Sequence, residues 1–240
     1  MYKSQLKGGF KMKVLITGGS QGIGLAVAKE LHKSGHELFL VARDSDRLNK
    51  AVSGFYERVN GFAWDLKDDV DTLIEETSKI NFSPDVIILN AAYFGSSLRS
   101  VVKASPYELE ELLKVNVISN YKLVQRFIDI LKKGEYPRII IIGSTASIRV
   151  DDGSLYGISK WALKSYAYSL RNELKELGIG VTLLNPGGTF TEKRTPNEKT
   201  QEGRLLEASD IAKLVGVLLT LSPQAVVEEI NVRPMLGDTY

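Results

Sequence analysis

Tyr156 and Lys160 put a phenol and an ammonium four residues apart in a segment with helical periodicity. On a helix they share a face about one turn apart. A neighbouring cation favours the phenolate and brings a tyrosine toward the range useful for proton transfer. The pair alone is weak evidence. With 10 tyrosines and many lysines, roughly one Tyr-x-x-x-Lys match arises by chance, and a solvated helix face explains it as well. Two further residues sharpen the case. Ser144 follows the apolar run Arg138–Gly143 and can hydrogen-bond a substrate oxygen, although a turn or a helix cap is the commoner role for serine. Asn116 sits among Val115, Val117 and Ile118 inside a long helical pattern. An amide there is a poor helix former and costly to bury unpaired. It reads either as a hydrogen-bonded core asparagine or as a local helix break that holds a water.

These residues need elements to bring them together. Val14-Leu15-Ile16 runs directly into Thr17-Gly18-Gly19-Ser20-Gln21-Gly22-Ile23-Gly24, and Leu25–Leu31 continues with helical spacing. Strand, glycine-rich turn and helix is the order that a dinucleotide pyrophosphate requires. Glycines let the backbone approach the phosphates, and N–H groups at the helix start face the anion. An ordinary Gly-rich turn is the bland alternative.

The rest alternates strand and helix. Strand-like runs are Val14–Thr17, Glu37–Val41, a weaker Gly61–Trp64, Asp85–Leu89, Arg138–Gly143, Gly180–Leu184 and Glu229–Val232. Helical patterns cover Ile23–Ser34, Ser45–Ser53, Val70–Lys79, Pro106–Lys132, Tyr156–Leu177 and Ser209–Thr220. Most strands are continuous Val/Ile/Leu runs, which marks a parallel sheet covered on both faces. The fold class is therefore α/β: a single-domain, Rossmann-like, doubly wound parallel sheet. Its active groups belong at the carboxyl ends of the strands. Residues 1–11, polar and without periodicity, read as an extension outside the fold, and 12–240 as the domain. The helices from Leu109 and from Tyr156 carry apolar residues on more than one side, which fits a large core or a subunit interface equally.

Composition excludes several classes. The chain has 240 residues and a formal net charge of +2, so neither a nucleic-acid footprint nor a polybasic membrane patch is expected. With 0 cysteines there are no disulfides and no thiolate chemistry, which suits the cytoplasm. No apolar run approaches a transmembrane span. His32 and His36 read as surface residues, and no metal site is expected.

Together these residues resemble the classical short-chain dehydrogenase/reductase family over about Lys13 to Pro234. The resemblance implies a tetrad of Asn116, Ser144, Tyr156 and Lys160. Tyr156 would be the acid/base and Lys160 would tune it and hold the nicotinamide ribose. Ser144 would orient the carbonyl, and Asn116 would keep a water in the proton relay. It also implies cofactor contacts from Gly18, Ser20, Gln21, Gly22, Ile23 and Gly24, from Asp65 and Leu66, and from Asn90 and Ala91. Tyr156, Lys160, Pro186, Gly187, Thr189 and Thr191 complete that set. Leu89 and Ala92 depart from the family's asparagine and glycine. The spacing from Ser144 to Tyr156 is one residue short, and Gln21 stands where NADP-dependent members often carry a base. After the second strand no acid occupies Ala42, and Arg43 follows at once. A guanidinium there can grip a 2′-phosphate bidentately, which favours NADP(H) over NAD(H).

The function expected is hydride transfer between NADP(H) and a carbonyl or alcohol substrate of ketone or 3-ketoacyl type, by a homotetramer or homodimer. Tyr93, Phe94, Ile148, Val150 and Leu155 would wall the substrate. A lid over 191–206 with Lys193, Arg194, Lys199 and Arg204 would be a solvated flap or a basic mouth. A non-catalytic NADP(H)-binding regulator and a Rossmann-like methyltransferase are the rival classes.

Overall fold

The computed structural model describes residues 11–96, 100–149, 154–192 and 203–238. In chain order the elements are β1 (Lys13–Thr17), α1 (Gly22–Lys33), β2 (Glu37–Ala42), α2 (Ser45–Val52), β3 (Val59–Ala63), α3 (Val70–Lys79) and β4 (Val86–Leu89). There follow α4 (Pro106–Leu113), a π turn (Lys114–Ile118), α5 (Ser119–Leu131), β5 (Arg138–Ile142), α6 (Leu155–Leu174) and β6 (Gly180–Pro186). The short strands β7 (Thr189–Phe190) and β8 (Leu206–Glu207), then α7 (Ala208–Leu218) and β9 (Glu229–Val232), complete the fold.

Seven strands form one sheet in the order β3-β2-β1-β4-β5-β6-β9, and all the pairings are parallel. The order reverses between β1 and β4, which opens a crevice at their carboxyl ends. The central strand β5, Arg-Ile-Ile-Ile-Ile, is buried at every position. Such a run is stable only with helices on both faces. On one face α1 and α7 pack through Val27, Leu31, Ile211 and Val215. On the other, α3, α5 and α6 supply Leu73, Leu123, Phe127 and Leu163. Phe127 is fully buried, and truncating such a ring to alanine typically costs about 3–5 kcal/mol.

The structure departs from the sequence reading in four places. The single helix expected over Pro106–Lys132 is interrupted by the π turn around Asn116. The weak third strand lies at Val59–Ala63, starting two residues earlier and ending one earlier, because it is an edge strand whose exposed residues blur the pattern. The pair β7–β8 was not anticipated, being only two residues per strand. Finally, His36 is not a surface residue. It is buried, and its Nδ1 accepts the Met12 N–H at 3.1 Å. Burial holds its pKa below the usual value.

Candidate active site

The turn after β1 is fixed by its neighbours. Gly18 donates its N–H to the Val41 carbonyl at 2.7 Å, with φ +67°, a region that disfavours any side chain. Asn90, just past β4, donates its Nδ2 to the carbonyls of Thr17 at 2.9 Å and Gly18 at 3.2 Å. A Cβ on Gly24 would lie 2.3 Å from the Gly18 oxygen, so the first turn of α1 packs against the loop only through hydrogen. The helix opens at Gln21 with no side-chain cap and no acid in its first turn. By contrast α2, α3, α4 and α6 are capped by Asp44, Asp69, Ser105 and Ser154. The leading N–H groups of α1 are thus suited to an external anion. Thr191 closes the other side, its Cγ2 3.4 Å from where a Cβ on Gly22 would stand.

Beyond β2, Arg43 is largely exposed and its Nη1 lies 3.9 Å from the Asp65 carboxylate. A second guanidinium stands beside it, which the sequence reading missed. Arg47 donates Nη1 to Gln21 Oε1 at 2.8 Å and pairs with Asp44 at 3.2 Å. Asp44 also caps α2 by accepting the Arg47 N–H at 2.9 Å. The pairing with Arg47 offsets part of the negative charge that Asp44 places beside Arg43.

The third group hangs on α6. Lys160 is buried, and its Nζ donates to the Ile142 carbonyl at the end of β5 at 3.1 Å. The same Nζ lies 5.6 Å from the centre of the Tyr156 ring. Burial pushes this ammonium down to about 8. Ser159 links the face: its Oγ donates to the Tyr156 carbonyl at 2.7 Å and accepts Asn116 Nδ2 at 2.9 Å. Asn116 is fully buried. Its Oδ1 accepts the Tyr93 N–H at 2.7 Å, and Nδ2 also donates to the Tyr93 carbonyl at 2.8 Å. The π turn thus aims one amide between the loop after β4 and α6. Phe94 stacks on Tyr156, with ring centres 5.1 Å apart. Ser144, directly after β5, caps the short turn Thr145–Ser147 by accepting the Ala146 N–H at 3.2 Å, which leaves its hydroxyl hydrogen to donate.

Glycine loop, β5 end and α6 face therefore meet at the carboxyl edge of one parallel sheet. The family model of the short chain dehydrogenases matches residues 12–202. The chain belongs to the short-chain dehydrogenase/reductase family. It is 30% identical over 227 residues to an uncharacterized oxidoreductase of Staphylococcus epidermidis, covering 92% of this chain and 96% of that one. It is similar to the 3-ketoacyl-(acyl-carrier-protein) reductase of Brucella melitensis complexed with NADH, with TM-score 0.83 and 26% identity over 92% of this chain and 96% of that one. A metagenomic short-chain oxidoreductase in complex with NADP superposes with TM-score 0.78 at 28% identity, covering 93% and 97%.

In this short-chain dehydrogenase two further side chains shape the site. Asn185, fully buried in β6, accepts the Ser144 N–H at 3.2 Å through Oδ1. Its Nδ2 donates to Glu229 at 2.8 Å and Asn231 at 2.9 Å, which fixes the orientation of the amide. Burial opposes the charge of Glu229, yet hydrogen bonds from Lys164 and Tyr168 hold its carboxyl below the usual range. Asn120 donates Nδ2 to the Asn116 carbonyl at 2.8 Å. Asn185, after Leu183 and Leu184, stands out by the argument that singled out Asn116, whereas Asn120 lies between Ser119 and Tyr121-Lys122 and gives no such signal. Arg204, at the far end of the expected lid, donates its guanidinium to the carbonyls of Gly237 at 2.9 Å and Leu236 at 3.1 Å, which anchors that end of the segment. Val150, Lys193, Arg194 and Lys199 lie outside the described residues. Among the described residues no group of three or more His, Asp or Glu could hold a metal, and no helix is long and apolar enough to cross a membrane.

Proposed function

We propose that this protein is an NADP(H)-dependent oxidoreductase that interconverts a carbonyl and an alcohol on a small molecule. The observation that carries this reading is the Lys160 ammonium, buried against Tyr156 and tied to the end of β5. A buried cation with no carboxylate partner among the described residues is costly, and a neighbouring phenol that ionises in turnover gives it a purpose. The nicotinamide, when bound, supplies or takes the hydride. The protein handles the proton. In reduction, the Tyr156 hydroxyl gives its hydrogen to the carbonyl oxygen as the C–H bond forms, and the resulting phenolate sits beside Lys160. The Ser144 hydroxyl donates to the same substrate oxygen and holds it in line. Asn116 and Ser159 brace α6 against the loop after β4. Asn120 Oδ1 is a buried acceptor with no protein partner among the described residues, next to the Asn116 carbonyl. Such an acceptor suits a bound water. Phe94 and Tyr93 offer an apolar wall at the Tyr156 ring. The likeness to a 3-ketoacyl reductase supports testing thioesters alongside simple carbonyls. NADPH oxidation against ketones, aldehydes, diketones, quinones and 3-ketoacyl thioesters tests the proposal, which fails if none is reduced.

For the cofactor, Gly18, Ser20, Gly22, Ile23 and Gly24 would cradle the pyrophosphate. Asp65 and Leu66 would face the adenine, and Ala91, Pro186, Gly187, Thr189 and Thr191 would line the nicotinamide half. Asn90 acts on this set through the loop that it clamps. Arg43, with Arg47 held by Gln21, would read a 2′-phosphate. A hydrogen bond to a charged group contributes about 1.5–3 kcal/mol, so NADPH should bind at least tenfold more tightly than NADH. Arg43→Ala should narrow that gap. Equal dissociation constants in the unmodified protein would refute the preference.

The assembly proposed is a homo-oligomer, tetramer or dimer, formed through α5 and α6. Ile118 at the end of the π turn, Tyr121 on α5, and Ile158 and Trp161 on α6 are each more than two-fifths exposed, an apolar area that a second copy would cover. Light scattering at micromolar concentration should show the oligomer, and Trp161→Asp should split it. A monomeric unmodified protein would exclude this assembly.

A further inference from the structure

Past β9 the chain turns back over the site. A hydrogen bond from the Gly237 N–H to the Pro234 carbonyl at 2.8 Å closes the turn, with Gly237 at φ +80°. Arg204 grips the carbonyls at its tip. The turn delivers the Asp238 carboxylate, 3% exposed, to a point between two loops. Its Oδ1 accepts the Gly188 N–H at 2.8 Å, and its Oδ2 accepts the Thr145 hydroxyl at 3.1 Å. Arg233 Nε stands 3.5 Å from Oδ2. A Cβ on Gly187 would fall 2.1 Å from Oδ1, so the carboxylate rests directly on the turn after β6.

Thr145 follows Ser144, and Gly188 precedes Thr189. The two loops leave adjacent strands whose last backbone–backbone bond is Gly143 N–H to the Leu184 carbonyl at 2.7 Å, followed only by the Ser144 N–H to the Asn185 side chain at 3.2 Å. Beyond that point the backbone ladder no longer ties them together. An ionised carboxylate only accepts, and here a hydroxyl, an amide and a guanidinium all aim at one. We propose that Asp238 is a positioning residue that latches the Ser144 loop to the Gly187–Thr189 turn. It thereby sets the spacing between the substrate side and the nicotinamide side of the site. The inference rests on the reading of that site as a reductase.

The test combines amide hydrogen exchange on the cofactor-free protein with steady-state kinetics, for Asp238→Ala, Asp238→Asn and Thr145→Val. Asp238→Ala should speed exchange at Gly188 and over Ser144–Ser147 at least tenfold while β1 and β2 stay protected. It should lower kcat for carbonyl reduction at least tenfold, with a smaller change in KM. Asp238→Asn keeps an acceptor for Gly188 and a polar partner for Thr145, and should recover most of both. Adding Thr145→Val to Asp238→Ala should cost nothing further. Unchanged exchange at Gly188 in Asp238→Ala overturns the latch. A lower melting temperature with local exchange and kcat both unaltered reduces Asp238 to ordinary packing and overturns it equally. Should the unmodified protein reduce no carbonyl, the exchange arm still decides the latch, and that failure belongs to the reductase reading.

Discussion

Tyr156→Phe is expected to lower turnover by about 10²-fold or more while leaving NADPH affinity within a few-fold of the unmodified protein. The substitution keeps the ring that stacks on Phe94 and removes only the oxygen that would carry the proton. Loss of a positioned general acid typically costs about 10²–10⁴-fold. The ring also keeps its place 5.6 Å from the Lys160 ammonium, so the fold around the nicotinamide half should survive. Steady-state kinetics on any carbonyl that the unmodified protein reduces, with fluorescence titration of NADPH, separates the two effects. A Tyr156→Phe protein working at the unmodified rate would leave the phenol without a chemical task. A nucleotide-binding regulator would then be the reading to pursue.

Lys160→Met should abolish detectable turnover and weaken NADPH binding, yet make the cofactor-free protein more stable. The charge is buried and, among the described residues, answered by the Ile142 carbonyl and the face of the Tyr156 ring, and exchanging such a charge for an apolar chain of similar length relieves desolvation. Its sign with pH follows from linkage. The folded group titrates at about 8 against a reference of 10.5, so between those values the unfolded chain holds more protons than the folded one. Stability of the unmodified protein should therefore rise from this group as pH climbs through that window. Lys160→Met should lack that rise. NADPH affinity should run the opposite way and fall as the ammonium is lost above about pH 8. Urea denaturation from pH 7 to 10 decides it: parallel profiles for the two proteins would mean that Lys160 is not charged and buried as described.

Much of this architecture was legible in the chain. The Ile run of β5 can only be a covered central strand, and the glycine spacing before α1 specifies the turn that Gly18 and Gly24 make. Asn116 was visible as a possible local helix break, and the break is the π turn; its type was not legible, because apolar residues on more than one side of this segment hide the change of face that one extra residue causes. The anchoring of Arg204 was hidden for a different reason. Its partners are main-chain carbonyls of Leu236 and Gly237, and a carbonyl has no signature in sequence. The Asp238 contacts join loops more than forty residues apart, a distance over which no periodicity reports. Asn185 was the avoidable omission, a lone amide in the apolar strand beside Pro186.

That amide also constrains how this chain could have changed over time. A Cβ on Gly143 would stand 2.1 Å from Asn185 Oδ1, well inside any tolerable contact. A side chain at 143 therefore requires the Asn185 amide to turn away, and turning it would release the Ser144 N–H that it holds. The two positions are coupled, so a larger residue at 143 should be tolerated better in a chain whose residue 185 is already shorter.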